Sequence, residues 1–169
     1  MDNWLETKKF PTSLISAAGF VLKDDKVLMI KTKKRGWSFP GGVSDERETI
    51  IDCLKREIYE ESGIVIEPRN LVGVYQRLNS IPGYGLLKGV DVPPVAVFYF
   101  ICDYISGTEK CNEESDDIAW FDISEAKDMI SDEYVRRTFE DCLKYNGEVC
   151  FSSFNKVDNE YLFNEDKRV

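Results

Sequence analysis

Histidine is absent from this 169-residue chain. Without imidazole there is no Ser-His-Asp or Cys-His nucleophilic machinery and no histidine-ligated zinc site. Cysteine is scarce: Cys53, Cys102, Cys111, Cys142 and Cys150 are odd in number and lack Cys-x-x-Cys spacing. That pattern reads as reduced thiols in a cytoplasmic protein, not as a disulfide framework. No apolar run reaches the ~18 residues of a membrane span, and Met1-Asp2-Asn3-Trp4-Leu5-Glu6 does not read as a secretory signal, so no membrane partner is expected. Positive charge is also short, with 22 Lys and Arg against 31 Asp and Glu and a net charge of −9. Phosphate backbones attract basic patches, so a long nucleic acid is an unfavourable partner. A small phosphorylated substrate is compatible, because bound cations can bridge an acidic protein and an acidic ligand.

What is present suits one compact domain over residues 1–169, since 43% of the residues are hydrophobic. The elements alternate between strand and helix patterns. Leu14–Leu22 and Val27–Lys31 read as strands around a turn at residues 23–26, followed by a basic loop over Lys31–Gly36. Thr49–Ser62 reads as a helix whose buried stripe is Ile50, Ile51, Leu54 and Ile58, ended by Gly63. Ile64–Ile66, Leu71–Leu78, Val95–Cys102 and Ile118–Phe121 read as strands, and Ser124–Ile130 and Asp132–Tyr145 as helices. Asn79–Pro94 is too rich in Gly and Pro for a regular element. Residues 146–169 have no clear period and leave open an added β-pair, a docked tail or a dimer contact.

The densest chemistry lies in Arg56-Glu57-Ile58-Tyr59-Glu60-Glu61. On a helix Glu57 and Glu61 are four apart on one face with Glu60 on its flank, a face read as distinct from the apolar stripe. Like charges so spaced cost roughly 0.2–0.5 kcal/mol per pair. A hard divalent cation reverses that penalty, because Mg²⁺ and Mn²⁺ prefer carboxylate oxygens.

Upstream residues complete a longer pattern. Gly42 is followed at fixed intervals by Glu48, Arg56, Glu57, Ile58, Glu60, Glu61, Gly63 and Ile64, and is preceded by Trp37-Ser38-Phe39-Pro40-Gly41. This is the Nudix box, with every specified position filled. Chance agreement at the seven invariant positions is on the order of one in a hundred million per start position. The chain resembles the Nudix hydrolase family, with box residues 42–64 and flanking patterns that fit the family fold over about residues 12–145. The resemblance implies an α/β fold, an α/β/α sandwich around a mixed β-sheet, with the box as a loop-helix-loop.

It also implies hydrolysis of a nucleoside diphosphate linked to another moiety, or of a nucleoside triphosphate, by water attack on phosphorus. A divalent metal, Mg²⁺ or Mn²⁺, would neutralise phosphate charge and lower the pKa of bound water. By residue-to-residue matching, Glu57 and Glu61 are the principal ligands, Glu60 is a further one, and the Gly41 carbonyl completes the set. Arg56 and Glu48 form a supporting pair. The general base is open: Glu114 is the first choice in the acidic loop Cys111–Asp117, then Glu113 and Asp117, and Glu60 or Glu61 could itself take the proton. A plain solvated loop is the competing reading. Arg47 stands before Glu48, where the family commonly has Gly.

Outside the box, Lys31, Lys33, Lys34 and Arg35 are positioned to receive phosphates, or form a solvated loop. Trp37, Tyr75 and Tyr84 offer faces for base stacking. Core packing suits Trp37 and Tyr75 better, whereas Tyr84 lies in a loop, where binding is more credible. Cys53 flanks the stripe and reads as core. Relatives often pair, so a homodimer is compatible. A binding module of the same fold without turnover is the alternative, and the retention of all three glutamates argues against it.

Overall fold

The computed structural model describes residues 10–33, 35–83, 87–111 and 116–169. Its strands are β1 Leu14–Lys23, β2 Lys26–Thr32, β3 Gly36–Ser38, β4 Gly41–Val43, β5 Ile64–Arg77, β6 Ile81–Pro82, β7 Asp91–Val92, β8 Val95–Gly107, β9 Asp117–Asp122, β10 Cys150–Val157, β11 Glu160–Phe163 and β12 Lys167–Arg168. The helices are α1 Ile50–Ser62, α2 Ile123–Met129 and α3 Glu133–Leu143.

The sheet runs β11-β10-β5-β8-β1-β2-β3, with β4 paired to β1, β9 to β2 and β12 to β10. Two pairings are parallel, β1 with β8 and β5 with β10, and the sheet is therefore mixed. Each face carries its own core. On one face Ala17, Val21, Leu28 and Cys102 pack against Cys53, Leu54 and Ile58 of α1. On the other, Phe20, Phe39, Tyr75 and Tyr99 pack against Tyr134, Val135 and Phe139 of α3. Helices thus cover both faces, as an α/β/α sandwich requires. Among the described residues no helix is long and apolar enough to cross a membrane, and all five cysteines are free.

Three local readings change. Ile64–Ile66 and Leu71–Leu78 are one strand, β5, whose register shifts at three places, one of them between Pro68 and Asn70. Bulges let a strand accommodate a proline that cannot donate to the ladder. Within Asn79–Pro94 the short β6 and β7 pair with each other. The segment after residue 146 is an added β-structure: β10 docks on β5 and turns back into β11 through Asp158 and Asn159, at φ 48° and 69°. Two consecutive left-handed residues make the two-residue hairpin turn that matches strand twist, and Asp and Asn tolerate that conformation.

Candidate active site

The helix α1 begins where Thr49 Oγ1 accepts from Asp52 N (3.1 Å) and ends at Gly63, whose φ of 75° few residues but glycine adopt readily. The expected stripe is modified. Leu54 and Ile58 are fully buried, but Ile51 is 40% exposed, and Cys53 takes the inward place instead. Ile51 lies about 100° around the helix from Ile50, at the rim of the packed face. The acidic residues do not form a separate outer face. Glu61 is buried, at 9% exposure, Glu57 is half-buried, and only Glu60 is open to solvent.

Burial of Glu61 follows from the strand above it. The Gly41 N–H donates to Glu61 Oε2 at 2.7 Å. Gly41 has φ 150°, and a Cβ there would lie 2.8 Å from that of Ala18. At Gly42 a Cβ would come within 2.6 Å of Glu57 Oε1, so the missing side chain makes room for the carboxylate. The Gly42 carbonyl is held by Ser16 Oγ at 2.6 Å and by the Cys53 thiol at 3.6 Å. Burial, then the Glu48 and Glu57 charges, push the Cys53 thiol up to about 11, so it serves as a neutral donor.

Arg56 ties the loop to the helix. Its Nε and Nη2 donate to Glu48 Oε1 and Oε2 at 2.7 and 2.8 Å, a bidentate pair. Its Nη1 donates to Glu57 Oε1 at 2.9 Å and Glu60 Oε2 at 3.0 Å. The Arg56 guanidinium, then the Asp45 backbone N–H, hold the Glu48 carboxyl at about 2, below the ordinary 4.5. A depressed carboxyl contributes stability above its unfolded value and loses it as pH falls through the folded one. The Tm difference between wild type and Glu48→Gln is therefore expected to be constant above about pH 5 and to close toward about pH 2. A gap that stays open at that acid limit would remove the ionised pair as its cause.

Arg47 has φ 67°, which explains the glycine common at this position in the family. A left-handed non-glycine residue costs roughly 1–2 kcal/mol. Arg47→Gly is expected to raise stability by about 1 kcal/mol in urea unfolding, after the glycine's greater unfolded entropy is subtracted. An unchanged or lower midpoint would show that the loop tolerates arginine without strain.

The donor set suits a hard cation: carboxylates of Glu57, Glu60 and Glu61 stand on one side of α1 beside a glycine turn made free of side chains. Among the described residues no three acidic or thiol groups are drawn together as a metal centre. Arg56 Nη1 instead spans Glu57 and Glu60, so a cation there would take over part of the charge balance that Arg56 supplies.

Of the other sequence candidates, Trp37 is a core side chain, edge-on to Phe121 at 4.8 Å, and is packed away from base stacking. Tyr75 is fully buried and donates to Asp141 Oδ2 at 2.6 Å. Lys33 pairs loosely with Asp116 at 3.8 Å on the surface. Arg35 turns toward Tyr99, Tyr134, Tyr161 and Asp132. Glu113, Glu114, Lys34 and Tyr84 lie outside the described residues. Sequence reasoning missed Ser16, which has no local signal. It also missed the residues around Arg35 from the C-terminal hairpin, for which the Asp158-Asn159 turn was an available clue.

Comparison with known proteins gives the family and the fold. The NUDIX domain family profile matches residues 13–141. A MutT-like protein of Streptomyces ambofaciens is 30% identical over 132 residues, covering 77% of each chain. The ADP-ribose pyrophosphatase of Methanocaldococcus jannaschii is 29% identical over 122 residues, 70% of this chain and 67% of that one. In fold, the mutator MutT protein of Bacillus halodurans superposes with a TM-score of 0.72 at 20% identity, over 92% of this chain and 97% of its own. A filled box on a helix that meets the glycine turn, together with a family match across most of the sheet, establishes that this chain belongs to the Nudix hydrolase family.

Proposed function

We propose that the chain is a divalent-metal-dependent pyrophosphohydrolase that cuts a diphosphate or polyphosphate bond in a small nucleotide derivative. The observation that carries this reading is the buried Glu61 carboxylate, held on the Gly41 N–H one turn of helix from Glu57, which Arg56 holds. Burying a carboxylate among other carboxylates is costly unless it is paired or binds a cation. Glu57 and Glu61 would be the principal ligands, with Glu60 and the Gly41 carbonyl joining them. When bound, Mg²⁺ or Mn²⁺ offsets the charge of the diphosphate and makes water a stronger acid.

The chain's own residues do the rest. Arg56 and Glu48 fix the helix against the loop, so that the carboxylates keep their spacing. Arg35 meets a phosphate, and Tyr84 stacks a base. Glu114 accepts the proton of the attacking water, as a carboxylate near the reacting phosphorus can.

The test is a hydrolysis panel with Mg²⁺ and then Mn²⁺, using Glu61→Gln as the blank. ADP-ribose heads it because a relative bears that activity in its name. Nucleotide sugars, dinucleoside polyphosphates, and ordinary and oxidised nucleoside triphosphates follow. A product formed by wild type and not by the blank supports the reading. A uniformly blank panel from folded protein that binds Mg²⁺ would favour a binding module.

A further inference from the structure

Three cations converge where the β2–β3 loop, α3 and the C-terminal hairpin meet. Arg35 is fixed through its backbone: its N–H donates to Thr32 Oγ1 at 3.3 Å, and its carbonyl accepts from Ser131 Oγ at 3.4 Å. Its guanidinium is crowded by protein, although the residue still reaches solvent, and it faces the hydroxyls of Tyr99, Tyr134 and Tyr161 and the Asp132 carboxylate. It makes no hydrogen bond or ion pair among the described residues. Arg77 lies behind it, buried, and donates to the carbonyls of Asn79 and Pro93. Lys156 Nζ donates to Tyr161 Oη at 2.7 Å and lies 4.1 Å from the centre of that ring.

Arg77 and Lys156 are under-compensated here, although Asp132 acts on Arg35 and the neighbouring cleft carries Glu133 and Glu160. Asp132 is the single carboxylate acting on Lys156, and its oxygens are engaged, Oδ1 by the Val135 N–H and Oδ2 by the Tyr161 hydroxyl. Burial, then Arg35 and Arg77, push Lys156 down from its ordinary 10.5, with Asp132 opposing. Burial and then Arg35 do the same to Arg77. A second polar group is poorly satisfied: Tyr134 is 4% exposed, and among the described residues its hydroxyl meets only that of Tyr99, outside good hydrogen-bond geometry. A guanidinium without a hydrogen-bonded acceptor and a poorly satisfied buried hydroxyl, beside two further cations, are what an incoming anion would satisfy.

We propose that Arg35, Lys156 and the Tyr134 hydroxyl form an anion recess that receives a phosphoryl group of the substrate other than the one attacked. Its assignment to the substrate rests on the hydrolase reading above. Contacts lead from the recess to the box: Tyr134 packs on Tyr99 at 6.1 Å, Tyr99 on Phe39 at 6.0 Å, and two residues on Gly41 binds Glu61. Lys156 and Tyr161 stand opposite each other across the hairpin, beyond the residues 13–141 that the family shares. The recess joins Arg35 and Tyr134 of the matched region to a hairpin residue outside it, and it selects substrates that carry anionic charge at a distance from the scissile bond.

The test separates the recess from hydrolysis. Inorganic phosphate is titrated in EDTA at constant ionic strength, following by NMR the backbone N–H signal of Tyr161, which contacts Lys156 and Tyr134 and is present in every variant. A saturable shift is expected in wild type and in Glu61→Gln alike. Affinity should fall on the order of 10-fold in Arg35→Gln and Lys156→Gln, the worth of a lost charge-assisted hydrogen bond. Tyr134→Phe, which keeps the ring packing, should weaken it several-fold. Absence of saturation, or equal affinity in wild type and all three recess variants, overturns the recess.

With a substrate from the panel, phosphate should compete, and Lys156→Gln should raise KM by about 10-fold, the signature of lost binding. Noncompetitive phosphate with unchanged KM overturns the substrate role. Because the titration needs neither metal nor turnover, a blank hydrolysis panel with a normal titration would sink only the hydrolase reading.

Discussion

Glu61→Gln is expected to lower turnover by a factor on the order of 10² or more, the size of effect seen when a metal-bearing or proton-accepting group is lost. The fold should survive. Glutamine is isosteric, and its amide oxygen can still accept from the Gly41 N–H, the 2.7 Å bond that anchors the glycine turn. Exchanging a charged acceptor for a neutral one costs about 1 kcal/mol. The measurement is therefore paired: single-turnover rate on the panel's best substrate, and urea unfolding of the same preparation. Loss of rate with a retained unfolding midpoint places Glu61 in the chemistry. Full turnover would remove it from the mechanism, and collapse of the midpoint would make its role structural.

Metal removal is expected to have the largest effect of all. Dialysis against EDTA should bring hydrolysis to background, and Mg²⁺ or Mn²⁺ should restore it. A second readout does not depend on turnover. A cation bound only by the folded chain adds about 2.7 kcal/mol of stability at 100 times its dissociation constant. Wild type should thus gain Tm with Mg²⁺, whereas Glu61→Gln should gain much less, because one of the proposed carboxylate ligands is gone. Activity that persists in EDTA contradicts the role assigned to Glu57, Glu60 and Glu61.

The legible parts of this protein were those coded over short distances. The α1 helix, its Gly63 end and the spacing of its glutamates all lie within one continuous segment, where helical periodicity brings residues three and four apart together. Burial was harder to read. Glu61 looked like part of a face distinct from the apolar stripe, yet it is buried, because the strand at Gly41 folds over it from 20 residues away. Ile51 looked like core, but it lies beyond the rim of the sheet. Trp37 and Tyr75 had two uses open to them as aromatic side chains, and both are packed inside. The C-terminal hairpin carried a readable turn at Asp158-Asn159, but its parallel docking on β5 joins residues 77 apart, as in Cys150 with Gly73.

Family and reaction class were thus determined by sequence alone, and the acidic ligands proposed with them, since each depends on residue types at fixed spacing along one helix and its leading loop. Tertiary structure decided which carboxylate is buried, why Gly41 and Gly42 must lack side chains, and where the C-terminal segment goes. It alone brought Arg35, Tyr134 and Lys156 together, across 121 residues of chain. The physical reason is that local periodicity specifies a face, but only the packing of distant strands decides what that face meets. Charges far apart in sequence acquire a common purpose only when the sheet sets them side by side.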